Sequence, residues 1–204
     1  PGGEEEIYPP AALQEAFSLE KVQRSGGAFN EEKLKWMNKE YLAQQTAAFK
    51  TEYFRSTLPE ALLALPQYNN ERIEKLALVV FERIHNKPEI VEAAHGGEYT
   101  WAFDTPTYET ALLRWKNDDS ATASLPRLEH TRTLLTTADF TTADTIKAAL
   151  WSYAEEIGKG EVLWPLRVAL SGLERSPDPF TLAYILGQKE TLSRIKTACD
   201  KISA

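Results

Sequence analysis

The 204-residue sequence contains one cysteine, Cys199, and one methionine. A single thiol excludes an internal disulfide and any cysteine-based metal cluster, and it fits a reducing compartment. No apolar run approaches the roughly 18 residues that a membrane-spanning helix needs. The first ten residues, PGGEEEIYPP, have neither the basic stretch nor the apolar core of a signal peptide, so no leader is expected. Positive charge is also short. A net charge of −7 excludes the strongly basic composition of a sequence-blind nucleic-acid binder. The three histidines, His85, His95 and His130, are too far apart to share a helical turn, and none has a partner at metal-ligand spacing. G-x-x-x-x-G-K-[ST], G-x-G-x-x-G and G-x-S-x-G are all absent. Adjacent carboxylates such as Asp118-Asp119 and Glu155-Glu156 diverge on a helix and read as solvated surface. Neither a catalytic residue nor a metal ligand is predicted.

What is present is helical periodicity. Ile73, Leu76, Ala77, Val80, Phe81 and Ile84 fall on one face of a helix, and Ile146, Leu150, Tyr153 and Ile157 repeat the spacing. Phe180, Ala183, Tyr184 and Gly187 do so again. Ser18, Asn30, Thr57 with Glu60, Thr141 with Asp144, and Ser176 before Pro177 are predicted N-caps. Gly172 and Gly187 stand where helices should end on a left-handed residue. Strand-like alternation is confined to Tyr99–Phe103, which reads as a loop or a short extended piece. Gly96 to Pro106 is the longest irregular stretch and a plausible domain boundary. The fold class is therefore all-α.

Two segments are unusual. FSLEKVQRSGGAFNEEKLKWMNKEYL (17–42) interleaves Lys21, Arg24, Lys33, Lys35 and Lys39 with Phe17, Phe29, Trp36 and Tyr41. Such a pattern can contact a phosphate backbone; it also describes amphipathic helices with snorkelling lysines. Residues 20–58 carry +2 and residues 160–204 carry +1, which leaves −10 elsewhere. The second segment is VLWPLRVALSGLERSPDPF (162–180). Trp164-Pro165 is read as opening a short helix that Ser171-Gly172 closes. Arg167 lies on or beside its apolar stripe, costly unless paired or lining a cleft. The turn Arg175-Ser176-Pro177 then starts a helix whose free N–H groups could take an anion or a base edge. A guanidinium, a Trp and a helix N-terminus suit splayed, unstacked bases.

Together these segments resemble the C-terminal part of bacterial glutamyl-tRNA synthetases. The first is similar to the family's FSLEKV…KLKW(M/L)N…Y stretch. The second is similar to its PLRVALTG…SP…F…LLGKE…L.RI stretch, here PLRVALSG (165–172), SPDPF (176–180) and ILGQKETLSRI (185–195). The likeness covers residues 17–42 and 145–198; over 46–135 length and helix order agree but residues do not. The resemblance implies a multi-helix anticodon-binding cage preceded by a small helical stem-contact segment. The divisions would be 1–45 for stem contact, 46–104 for a first helical anticodon-binding domain and 105–204 for a second.

It further implies a chain that begins just after the catalytic half of a class I synthetase, whose H-I-G-H-like and K-M-S-K-like motifs are absent here. The full-length enzyme would use ATP and Mg to attach glutamate to tRNA-Glu, with no cofactor in this part. Arg167 matches the arginine of the family's PLR motif that lines the anticodon pocket, with Trp164 beside it. Ser176, Pro177 and Pro179 match the turn that approaches the anticodon, although relatives often have Leu at the Pro179 position. Arg83 falls where the family's discriminating members read the last anticodon base, a cytosine. Lys21, Arg24, Lys33 and Lys35 would contact the tRNA backbone. The expected partner is tRNA-Glu, with neither DNA nor membrane, for a monomeric cytoplasmic protein. Three rivals stay open: a helical protein-interaction module without RNA function, a self-contained hydrolase or transferase, and a relative that also charges tRNA-Gln.

Overall fold

Ile73, Leu76, Ala77, Val80 and Phe81 are buried along one side of a helix, as their spacing predicts. In the computed structural model, residues 7–21, 30–84 and 86–204 are described, with only the backbone described for Pro10 and Lys21. Every regular element among them is helical. The α-helices are α1 (Pro10–Ala16), α2 (Glu31–Ala43), α3 (Ala47–Arg55), α4 (Glu60–Leu63), α5 (Asn70–Phe81), α6 (Lys87–His95), α7 (Ser124–Thr136), α8 (Ala143–Ile157), α9 (Lys159–Ser171), α10 (Pro179–Leu186) and α11 (Gln188–Ser203).

Packing organises around α9. It touches α7, α8, α10 and α11 and buries Val162, Pro165, Leu166, Val168, Ala169, Leu170 and Ser171. α11 lies along α7, α3 lies along α5, and α10 reaches across to α5. One continuous core runs from Phe54 to Cys199. By contrast α2 buries no residue and leaves Leu34 and Trp36 exposed. Among the described residues, the Tyr41 hydroxyl links it to the N-terminal segment by donating to the Tyr8 carbonyl.

Several local expectations change. Asn30 caps α2, its side chain accepting from the Lys33 N–H. Thr57, however, donates to the Phe54 carbonyl instead of capping, and Pro59 precedes α4 without a side-chain cap. The capping box at α8 belongs to Thr142 and Thr145, one residue beyond Thr141 and Asp144. Ser18 is followed by a 3-10 turn over Leu19–Lys21. α9 begins six residues before Pro165, which sits inside the helix and is buried. Residues 99–103 form a 3-10 turn over Thr100–Ala102, with Tyr99, Trp101, Ala102 and Phe103 buried. Gly172 ends α9 at φ +71°, and a Cβ there would lie 2.9 Å from the Pro106 Cβ. Asp118 is not solvated: it holds Arg127 in a two-pronged ion pair of 2.6 and 3.0 Å.

Candidate nucleic-acid interface

Arg83 lies just past the end of α5, its backbone N–H donating to the Val80 carbonyl at 3.0 Å. Its side chain is exposed and makes no described hydrogen bond or ion pair. Opposite it stands the loop between α9 and α10. Both line a groove of about 470 Å³ whose wall on one side is Leu76, Val80 and Arg83, with Gly97 and Tyr99 beyond. Leu173, Arg175, Ser176 and Pro177 form the other side. The structure thus brings Arg83, Ser176 and Pro177 into one place across more than 90 residues of sequence, and it adds Arg175.

The loop is shaped by local hydrogen bonds. Ser171 Oγ donates to the Arg167 carbonyl at 2.9 Å and accepts from the Leu173 N–H at 3.2 Å. Ser176 Oγ donates to the Pro177 carbonyl and lies 3.3 Å from Ser171 Oγ. Ser176 therefore does not cap α10. Asp178 does: its Oδ1 accepts from the N–H groups of both Phe180 and Thr181 at 3.0 Å. Those N–H groups are occupied, so the start of α10 is not open to an anion. A carboxylate outcompetes a hydroxyl here because it is charged at the positive end of a helix.

The groove is apolar along its floor and cationic at its rim. Two guanidiniums with no partner among the described residues, Arg83 and Arg175, share the groove with one carboxylate, Glu98. Tyr99 is 6% exposed and its hydroxyl has no partner. Burial first, then Glu98, pushes its phenol up to about 12. Tyr108 is also pushed up to about 12, by burial and then Cys199, with Arg194 opposing. A phenol raised above its unfolded value near about 10 favours folding below that pH, and the benefit is lost as pH rises towards the folded value. The unfolding midpoint in urea should therefore fall between about pH 10 and about pH 12. Tyr99→Phe should flatten part of that fall, and at pH 7 it should be neutral or slightly stabilising, since the hydroxyl is unpaired. Parallel alkaline curves for variant and wild type would disprove this.

The remaining predicted residues lie elsewhere. Arg167 is half-buried on α9, with no described partner for its guanidinium. Trp164 donates its indole N–H to the Leu112 carbonyl at 2.9 Å and packs on Trp115. Pro179 is buried in the first turn of α10. None of these three lines the groove with Arg83. Lys33 and Lys35 are exposed on α2, and Arg24, Phe29, His85 and the Lys21 side chain lie outside the described residues. A second groove, about 400 Å³, runs between the end of α2, Phe49 and Tyr53 of α3, and the start of α6.

Sequence reading placed Arg175 in the turn before Ser176 without giving it a role at the site, and it missed the buried floor residue Tyr99. Among the described residues no group of His, Cys, Asp and Glu could hold a metal ion, and no helix is long and apolar enough to cross a membrane.

Residues 33–199 match the family described as the anticodon binding domain. The glutamate–tRNA ligase of Flavobacterium johnsoniae is 32% identical over 205 residues, which is 98% of this chain and 38% of that protein. That of Amoebophilus asiaticus is 32% identical over 200 residues, 97% of this chain and 37% of that protein. The crystal structure of a glutamate tRNA ligase from Elizabethkingia meningosepticum, in complex with its amino acid, superposes with a TM-score of 0.65 at 28% identity. It covers 91% of this chain and 35% of that one. The chain therefore spans little more than a third of the length of these relatives.

Proposed function

Since the chain belongs to the anticodon binding domain family, we propose that it is the tRNA-reading, C-terminal part of a glutamate–tRNA ligase, with the groove between α5 and the α9–α10 loop receiving an anticodon base. The observation that carries this is the meeting of Arg83 with Arg175, Ser176 and Pro177 over an apolar floor. An unstacked base needs such an arrangement: an apolar surface for its face and planar donors for its edge. In this reading Arg83 selects the last anticodon base, which restricts the enzyme to tRNA-Glu. Arg167, whose guanidinium has no partner among the described residues, takes a neighbouring base or phosphate, and Trp164 and Pro179 hold the helices that carry the site. Lys21, Arg24, Lys33 and Lys35 meet the tRNA backbone.

Residues 1–45 form the stem-contact part, and 46–104 and 105–204 the two anticodon-binding lobes. Glutamate activation, with ATP and Mg, belongs to the catalytic half. The enzyme is a cytoplasmic monomer.

The test is binding of tRNA-Glu to the full-length ligase at two salt concentrations, beside a tRNA-Glu altered at its last anticodon base. Alteration should weaken binding selectively, and Arg83→Ala should cost about 1–3 kcal/mol and erase the preference. For this chain alone, with its net charge of −7, few phosphate contacts and a shallow salt dependence are expected, because each phosphate neutralised releases counterions. Equal binding of both tRNAs by the wild type would demote Arg83 and Arg167 as readers while leaving the family assignment standing, and a slope for this chain alone equivalent to about ten contacts or more would contradict the expectation of few phosphate contacts.

A further inference from the structure

Arg194, on α11, is the most deeply buried charged residue among the described residues, at 3% exposure. Its guanidinium is saturated. Nε donates to Glu190 Oε1 at 2.7 Å. Nη1 donates to the Trp101 carbonyl at 2.8 Å and to the Leu170 carbonyl at 2.6 Å. Nη2 donates to the Asp104 carbonyl at 2.8 Å and to Gln67 Oε1 at 3.1 Å. Gln67 Oε1 also accepts from Arg72 Nη1 at 3.0 Å, and the same nitrogen reaches the Ala102 carbonyl at 2.9 Å. Two arginines thus hold three carbonyls of the segment 101–104.

The placement of these carbonyls gives the cluster a meaning for the groove. Trp101 follows Tyr99 by two residues and Gly97 by four, both on the Arg83 side of the groove. Leu170 precedes Leu173, the first groove residue of the opposite wall, by three. Among the described residues no other hydrogen bond joins a residue of 96–104, directly or through a shared side chain, to one of 170–177. Carbonyls at the end of α9 lack helical partners and carry the negative end of the helix dipole, so a buried guanidinium is well matched to them. A planar fork with five N–H groups can fix several acceptors at once, which an ammonium on a flexible stem cannot.

We propose that Arg194 is a positioning residue for anticodon discrimination: without touching RNA, it sets the spacing of the two groove walls and so decides which base fits. This rests on the reading of the groove given above.

The test compares full-length ligases by the ratio of Kd for the altered-anticodon tRNA to Kd for tRNA-Glu. Arg194→Lys keeps the charge beside Glu190 but loses the fork. Gln67→Met removes the acceptor shared by the two arginines with little change in volume. Ile146→Ala, on the buried face of α8, is the control for lost stability alone. Arg194→Lys should lower the ratio about tenfold, equivalent to roughly 1.4 kcal/mol. Gln67→Met should lower it less and serves if the lysine variant does not fold. Ile146→Ala should leave the ratio unchanged while lowering the melting temperature.

A ratio kept within about twofold of wild type in both clamp variants, or lost equally in the control, overturns the proposal. If Arg83→Ala abolishes the preference while the clamp variants keep it, the proposal fails and the groove reading stands. A wild-type ratio near one overturns both.

Discussion

Asp118→Ala should destabilise the protein by about 3 kcal/mol, because it strands the Arg127 guanidinium in a site built around a carboxylate. The Asp118 side chain is 8% exposed and that of Arg127 19%. Both oxygens are engaged, at 2.6 and 3.0 Å, and the Asp118 hydrogen bond raises the Arg127 pKa. The backbone is committed as well, since the Asp118 carbonyl accepts from Arg114 at 3.1 Å. Loss of the carboxylate therefore releases the 114–120 turn from α7. Urea unfolding of single and double variants measures this. Asp118→Ala combined with Arg127→Leu should recover part of the loss, since the uncompensated charge has gone. A double variant as unstable as the sum of the two singles would show that the pair has no coupling.

Phe54→Ala should cost about 3–5 kcal/mol, the usual range for emptying a closed aromatic site. Phe54 is 0% exposed, on the face of α3 that packs on α5. Its ring meets Tyr99 edge-on, with centroids 5.3 Å apart and planes at 71°. The thermal midpoint should drop by about 10 °C for a chain of this size. Phe54→Leu should lose much less. Because Tyr99 is the groove floor, the alanine variant should also weaken tRNA binding at temperatures where it is still folded. Full binding with a lowered midpoint would separate the floor from the core.

The sequence disclosed some parts of this structure and concealed others for definable reasons. The α5 face was legible because a period of 3.6 over a dozen residues has one interpretation. Asn30 was legible as a cap because little else competes before an acidic first turn. SPDPF was ambiguous by construction: Ser-Pro and Asp-Pro both carry a capping residue before a proline, and only the stronger acceptor, Asp178, wins. Pro165 looked like a helix start because proline usually is one; here the buried surroundings of α9 override that preference.

Asp118 and Arg194 could not be read at all. Their partners lie 9 residues away in one case and up to 127 in the other, and no periodicity encodes a carbonyl contributed by a distant turn. The same limit applied to the groove. Arg83 and the SP turn were each singled out, but only the packing of α10 on α5 makes them neighbours.

The Arg194 bonds bridge 24, 90, 93 and 127 residues of chain. On a ribosome adding about 5–20 residues per second, Gln67 is made roughly 6–25 s before the arginine it receives. During that interval α3 and α5 can pair, yet Gln67 Oε1 and the carbonyls of Trp101, Ala102 and Asp104 are answered only by water and by Arg72. A nascent chain interrupted before α11 carries every residue that lines the groove but lacks the Arg194 bonds that tie Trp101 to Leu170. On the proposed reading, a chain without α11 should therefore bind tRNA with less discrimination than one that has it.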